Sequence, residues 1–338
     1  MSDAPAPEIL FSREGGAPGP GALVSVAVSL YNYAGEIDAC LDSVRAQDHP
    51  RLELLIVDDA STDPSAEVAT AWLERHSERF ERALLLRQPR NLGLSAARNC
   101  AFDAARGGNV FVLDADNTLL PAAVSRLLEA LEDSGAAAAY SQVVFFGGAS
   151  GIGVGNVWRP ESFKRDNYID AMALVSKAAW AVVGGYSPMD YGWEDYDLWC
   201  KFVEAGLFGV FVPELLCRYR IHMTSMRHTD TTTERSRLVH AMMAAHPWLD
   251  LKTPGRPVFE GMTKRTAEML AIHLKAAGIE PGSDHRHLCQ GVVARYRGSG
   301  RIPARPDPDS APLRGPERDR NRGGTARDCY PICYPNDR

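Results

Sequence analysis

The chain has 338 residues, 45% of them hydrophobic, and a formal net charge of −6. That length admits one large α/β domain with an appendage, or two ordinary domains. The mild acidity argues against a nucleic-acid binder, which would carry a basic face.

Residues 1–21 are rich in Pro, Gly and Ala and read as a flexible leader; they lack the basic start and apolar stretch of a signal peptide. Residues 23–30, LVSVAVSL, form a β-branched run of strand length, and residues 36–45 follow with Ile37, Leu41 and Val44 at helical spacing. Residues 52–57, LELLIV, predict a second strand that ends in Asp58 and Asp59. A helix over 64–75 comes next, with Asp63 or Ser61 expected at its N-cap. A strand at 83–86, a helix at 95–105 and a strand at 110–113 continue the alternation, the last ending in Asp114-Ala115-Asp116. A helix over 121–131 opens on proline. Then come a strand at 139–146 and a glycine-rich loop at 147–155, which lacks the lysine and Ser/Thr of a phosphate-binding loop. A strand and a helix fit within 169–185, a helix over 194–205, and strands at 209–212 and 215–221. Beyond about residue 230 the pattern is helical, with segments near 236–245 and 261–277, and residues 297–338 read as a disordered tail. No run approaches the ~18 apolar residues of a membrane span, so a cytoplasmic protein is expected, with peripheral membrane association open. The seven cysteines form no CxxC pair and read as free thiols of a reducing compartment.

This alternation predicts an α/β fold, a mostly parallel central sheet with helices on both faces. Ligands of such sheets gather at the carboxyl ends of the strands. Tyr31-Asn32, Asp58-Asp59 and Asp114-Ala115-Asp116 all fall there, which makes one site of three patterns. An Asp-x-Asp offers hard carboxylate oxygens to Mn²⁺ or Mg²⁺, cations that often share a site with substrate phosphates. Asp59 can accept the N3–H of a uracil ring and Tyr31 can stack on a base. Each pattern also has a plainer reading: a solvated acidic loop, a capped helix, a packed tyrosine.

The runs VSVAVSLYNYAGEIDACLDSVRAQDHPRLELLIVDDASTD, PRNLGLSAARN and FVLDADN are followed, in order, by three later motifs. These are Gly184-Gly185-Tyr186, Trp193-Glu194-Asp195-Tyr196-Asp197-Leu198 and Tyr219-Arg220-Ile221-His222. Over about residues 22–225 the set resembles the family 2 glycosyltransferases of GT-A fold. The resemblance implies a Rossmann-like GT-A domain at 22–228 and a helical C-terminal extension at 229–296. It implies a metal-dependent, inverting transfer from a nucleotide-sugar donor, UDP-sugar favoured, to the hydroxyl of a saccharide or small molecule. Ser29, Tyr31 and Asp59 would hold the base, with Glu36 nearby, and Arg98 would contact the nucleotide. Asp114, with Ala115, would approach the ribose or donor sugar, and Asp116 would bind the cation. Asp195, of the Glu194-Asp195 pair, would be the general base, and His222 would complete the metal shell or touch the diphosphate. Leu30 and Ala60 depart from the residues many members carry, proline or threonine at the first and glycine at the second.

The chemistry suits these roles. Inverting transfer needs a base for the acceptor's proton, and the departing diphosphate's charge needs a cation. Glu194 and Asp195 open a predicted helix, where the dipole favours an ionised carboxylate. Trp193 and Tyr196 flank the pair as an expected acceptor wall. Two other readings compete. A sugar-phosphate nucleotidylyltransferase would open with a glycine-rich loop bearing Arg and Lys, where this chain has Tyr31-Asn32-Tyr33-Ala34-Gly35. An inert nucleotide-sugar-binding module would have eroded the metal and base carboxylates, and both are present. Bacterial polysaccharide or secondary-metabolite synthesis fits, and the helices beyond residue 230 allow a homodimer.

Overall fold

The computed structural model describes residues 6–15, 19–148, 151–153, 155–190, 192–222 and 234–252. In chain order the first half holds β1 (Glu8–Glu14), β2 (Val24–Leu30), α1 (Ile37–Arg45), β3 (Leu52–Asp58), α2 (Ser65–His76), β4 (Arg82–Arg87), α3 (Leu94–Ala104) and β5 (Asn109–Asp114). The second half holds β6 (Thr118–Leu119), α4 (Ala123–Ser134), β7 (Ala138–Gly147), β8 (Gly151–Ile152), β9 (Ala173–Ser176), α5 (Lys177–Val182), α6 (Glu194–Glu204), β10 (Gly209–Ile221) and α7 (Arg235–Ala245).

Among the described residues the strands form one sheet in the order β1-β4-β3-β2-β5-β9-β7-β10-β6, with β8 hairpinned onto β7. β4, β3, β2 and β5 run parallel, and β7 and β10 share their direction through the antiparallel β9. The mostly parallel centre expected from the sequence is therefore present, with antiparallel strands at both edges and at β9.

Alternation along each strand sorts the two cores. Val24, Val26, Val28 and Leu30 of β2 and Phe111 and Leu113 of β5 face α1, α2 and α4. Ala27 of β2 and Val110 and Val112 of β5 face α3 and α6. On α1, Ile37, Cys40, Leu41 and Val44 are fully buried. Each large apolar side chain so buried contributes about 1.5–3 kcal/mol, which outweighs the few tenths that β-branched residues cost a helix. Ser25, Ala27 and Ser29 keep the opposite face of β2 low, so the small residues of α3, Ala97 and Ala101, pack close.

Three expectations need correction. The leader holds β1, whose Ile9, Leu10 and Phe11 suit a strand; it pairs antiparallel with β4, and Glu14 takes both Arg106 nitrogens at 2.7 and 2.9 Å. The strands expected at 209–212 and 215–221 are one strand, β10, with its register shifted between Val212 and Leu215. Pro213 lacks an N–H and sits at that irregularity. The glycine-rich loop contains β8. The C-terminal extension is described only to residue 252, and both the helix expected at 261–277 and the tail at 297–338 lie outside the described residues. The part that is described docks on α6 through His246, whose Nδ1 lies 2.7 Å from Glu204 and Nε2 3.1 Å from Asp197. The two carboxylates raise the pKa of this buried histidine against the opposing effect of its burial.

Candidate active site

The carboxyl ends of β2, β3 and β5 meet at one edge of the sheet, where Ser29 pairs with Val57 and Asp114. The loops there are stitched to one another. Asn32 Oδ1 accepts from the backbone N–H groups of Thr62 and Asp63, and the Asn32 N–H donates to Ser61 Oγ. The Tyr33 N–H donates to Ser65 Oγ, and Asp63 accepts from Ala34 and from Ser65 at the start of α2. The N-cap of α2 is Pro64, without a side-chain capping bond, so neither expected residue caps the helix: Asp63 braces the turn just before it, and Ser61 serves the neighbouring loop. Tyr31 is left 40% exposed, with its ring available to a ligand.

Asp59 is buried, and its two carboxylate oxygens accept the backbone N–H groups of Leu92 and Gly93, each at 2.8 Å. Burial raises its pKa against those two hydrogen bonds. Its direct effect is to fix the loop that launches α3.

Arg98 on α3 was expected against the nucleotide; at 1% exposure it lies beneath the site instead. Nη1 donates to Glu194 at 2.6 Å and Nη2 to Asp114 at 2.8 Å, and the guanidinium lies 5.5 Å from the Tyr186 ring centre. Buried Arg98 Nε has no partner. One cation thus ties the Asp-x-Asp strand to the first turn of α6. Glu194 is buried in this pair, which makes it a support for its neighbour and takes it out of reach of a substrate.

Asp116 follows the buried Ala115, whose N–H donates to Ser29 O at 3.2 Å. The Asp116 carboxylate lies 3.0 Å from His222 Nε2. Burial first, and Asp114 second, push the Asp116 pKa up to about 6 against the pull of His222. The β6–β10 pairing brings these distant residues together: the Arg220 N–H donates to Asn117 Oδ1 at 2.8 Å and its Nε to Asp116 O at 3.1 Å. Tyr33 meets the His222 ring edge-on with centres 6.0 Å apart.

Asp195 begins α6 beside Glu194. Asn167 Nδ2 donates to its Oδ2 at 2.9 Å. Its pKa is pushed up to about 8, by burial first and by Glu194 next, with Arg98 opposing. That overturns the expectation of a carboxylate kept ionised by the helix dipole, because removal from water and a like charge outweigh a partial charge. Tyr196 is not an acceptor wall either: it is 1% exposed, and its hydroxyl donates to Phe163 O. Trp193 stays half-buried in a left-handed conformation, φ 67°. Among the described residues the non-glycine residues with positive φ are Asn32, Ala60 and Trp193, and each borders this site. Ala60, at φ 59°, occupies the position where the sequence departs from glycine.

Glu36 stands at the N-cap of α1 without a side-chain capping bond. Tyr33, Asn117, Asn167 and Tyr186 carry contacts that the sequence did not announce. Their partners come from remote segments, and no local spacing marks them.

Residues 25–176 match the family described as glycosyl transferase family 2. A glycosyltransferase of Nostoc sp. is 37% identical over 111 residues, covering 33% of this chain and 33% of that protein. Chondroitin synthase of Pasteurella multocida is 29% identical over 218 residues, 62% of this chain and 22% of the synthase. The chain therefore spans about a third or less of these curated relatives. Among solved structures, S. aureus TarS in complex with UDP-GlcNAc superposes with a TM-score of 0.53 at 16% identity, over 75% of this chain and 71% of that one. The mannosyltransferase PcManGT of Pyrobaculum calidifontis, in complex with GDP-Man and Mn²⁺, gives 0.50 at 20% identity over 84% of both chains.

The fold is that of a GT-A enzyme. The family match is confined to residues 25–176, which hold β2 to β9 of this sheet. Among the described residues no helix is long and apolar enough to cross a membrane.

Proposed function

We propose that the chain transfers a glycosyl residue, with inversion, from a nucleotide-diphosphate sugar to the hydroxyl of a saccharide or small-molecule acceptor in the cytoplasm. UDP-sugar is the favoured donor. The observation that carries this reading is the Arg98 bridge, which joins the Asp114 end of β5 to the first turn of α6, the two segments that bear Asp116 and Asp195. The exposed Tyr31 ring, with Ser29 and Asp59 beside it, would receive the base, with Glu36 close by. Asp114 and Ala115 would border the ribose or sugar. Similarity to chondroitin and hyaluronan synthases favours a saccharide acceptor.

Asp195 takes the acceptor hydroxyl's proton as its oxygen bonds to the anomeric carbon. The bond from that carbon to the diphosphate oxygen breaks, and its electron pair leaves with the nucleotide diphosphate. Asp195 is the base because its raised pKa brings proton affinity near the working pH, and Asn167 orients it. Glu194 and Arg98 hold it in place.

A divalent cation, Mn²⁺ or Mg²⁺, fits beside Asp116 and His222. Among the described residues no group of three or more His, Cys, Asp or Glu side chains forms a ready cage. A hard cation that takes its remaining ligands from substrate phosphates and water matches so sparse a donor set. The buried Asp116 carboxylate, pushed up to about 6 beside Asp114, gains most from such a charge. Bound there, the ion would neutralise charge on the departing diphosphate.

Turnover of a panel of UDP-, GDP- and dTDP-sugars, with and without Mn²⁺, tests the proposal. Metal-dependent hydrolysis of one donor class is expected. Donor binding without hydrolysis or transfer to any acceptor would instead identify an inert binding module.

A further inference from the structure

β7 and β10 do not stop where β5 does. Asp114 stands level with Gln142 and Leu215, yet the two strands run on to Gly147 and Ile221. At ~3.3 Å per residue this is an overhang of about 17–20 Å beyond the metal-side end of β5. The half-buried Phe146 sits on it, directly paired with Arg220. Two guanidiniums lie against this one ring, Arg218 at 4.5 Å and Arg220 at 4.6 Å from its centre. Stacking on a ring steadies a guanidinium while leaving its N–H edge free for other partners.

Those edges are largely uncommitted. Among the described residues no carboxylate pairs with either arginine, and the hydrogen bond from the Arg220 side chain is that of Nε to Asp116 O. Two like charges held together without a counter-ion, next to a substrate cleft, suit an oxyanion: each fork can give it two parallel hydrogen bonds.

The sheet order says which substrate brings that oxyanion. The loops expected to receive the nucleotide follow β2, β3 and β4, on one side of β5, whereas the arginines stand on β10, on the other. Strand alternation puts Phe146 on the same sheet face as Tyr140, the face covered by α3 and by α6, which carries Asp195. We infer that Arg218 and Arg220, stacked on Phe146, form an acceptor subsite for a phosphate or carboxylate group, so that the preferred acceptor is an anionic saccharide or polyol phosphate. The inference rests on the proposed glycosyl transfer, and it makes the overhang the specificity element.

Arg218 is the residue to change, because it is exposed and its side chain bonds to nothing else described, whereas Arg220 also steadies the Asp116 loop. The full chain, with UDP and Mn²⁺ present, is titrated calorimetrically with methyl glucuronide against methyl glucoside, and with glycerol phosphate against glycerol. At least one anionic probe should bind the wild type about tenfold or more tightly than its neutral counterpart, the usual effect of a charge-assisted hydrogen bond. Arg218→Gln should erase that preference, and Arg218→Lys should keep part of it, with UDP affinity retained in both. A wild type without anion preference in either pair overturns the inference. So does an Arg218→Gln variant whose UDP affinity falls as well, since the oxyanion is then the donor's diphosphate. Anion preference in a wild type that turns over no donor supports the subsite and removes the catalytic reading instead.

Discussion

Replacing Arg98 with methionine keeps much of the side chain's volume but takes one buried cation from between two carboxylates. Both hydrogen bonds are short, 2.6 Å to Glu194 and 2.8 Å to Asp114, and the arginine is 1% exposed, so water cannot take its place without rearrangement. Stranding the buried Glu194, with the partly exposed Asp114 beside it, by removing their partner costs about 3–5 kcal/mol. For a domain of this size each kcal/mol moves the thermal midpoint by about 2–4 °C, so a fall of roughly 6–20 °C is expected by calorimetry at neutral pH. Arg98→Met combined with Glu194→Gln should recover part of the loss, because one of the stranded charges is gone. The same change reaches the reaction. Arg98 lowers the Asp195 pKa, so in Arg98→Met the pH–rate profile should shift to higher pH, a result that lost packing alone would not produce. A variant within about 2 °C of wild type, with an unmoved pH profile, refutes the bridge as the organiser of the site.

The other predictions concern the cleft itself. Asp195→Asn should abolish transfer while UDP affinity by calorimetry stays nearly intact; equal loss of both would make Asp195 structural. A base must be deprotonated, so kcat/KM should climb with pH and level off above about 8, and a flat profile from about pH 6 to 9 contradicts the assignment. The folded Asp195 pKa lies above the ordinary 3.8, so the stability tied to its protonated form is complete below that value and drains away as pH rises towards about 8. Asp195→Asn should therefore raise the thermal midpoint more at pH 8 than at pH 4. Asp116→Ala should erase the Mn²⁺ enhancement of nucleotide binding, and an unchanged enhancement would count against the cation site. Ala60→Gly should stabilise the fold by about 0.5–1 kcal/mol in urea, since glycine alone adopts a positive φ without strain.

Much of this architecture was legible because the apolar runs that lead into Asp58-Asp59 and Asp114 mark the strands and their carboxyl ends. The helix at 235–245 and the acids at 194 and 195 also emerged from local pattern. What stayed hidden depends on partners far along the chain. The nucleotide contact expected of Arg98 rested on resemblance alone, and nothing in SAARN announces Glu194, 96 residues away. The raised Asp195 pKa stays hidden for a related reason: sequence shows the helix start but not the burial that overrides it. β1 escaped notice because Pro and Gly surround a short apolar core, and the unity of β10 because Pro213 mimics a break.

The positive φ values of Asn32, Ala60 and Trp193 bear on how the chain could be improved. A screen for heat-resistant variants would find its easy gain at Ala60, because relief of backbone tension there costs no side-chain contact, whereas Asn32 and Trp193 are held by partners of their own. That gain would also loosen or reset the loop after β3, which the proposed site uses. If the proposed transfer holds, selection for heat resistance and selection for turnover should therefore pull in opposite directions at Ala60.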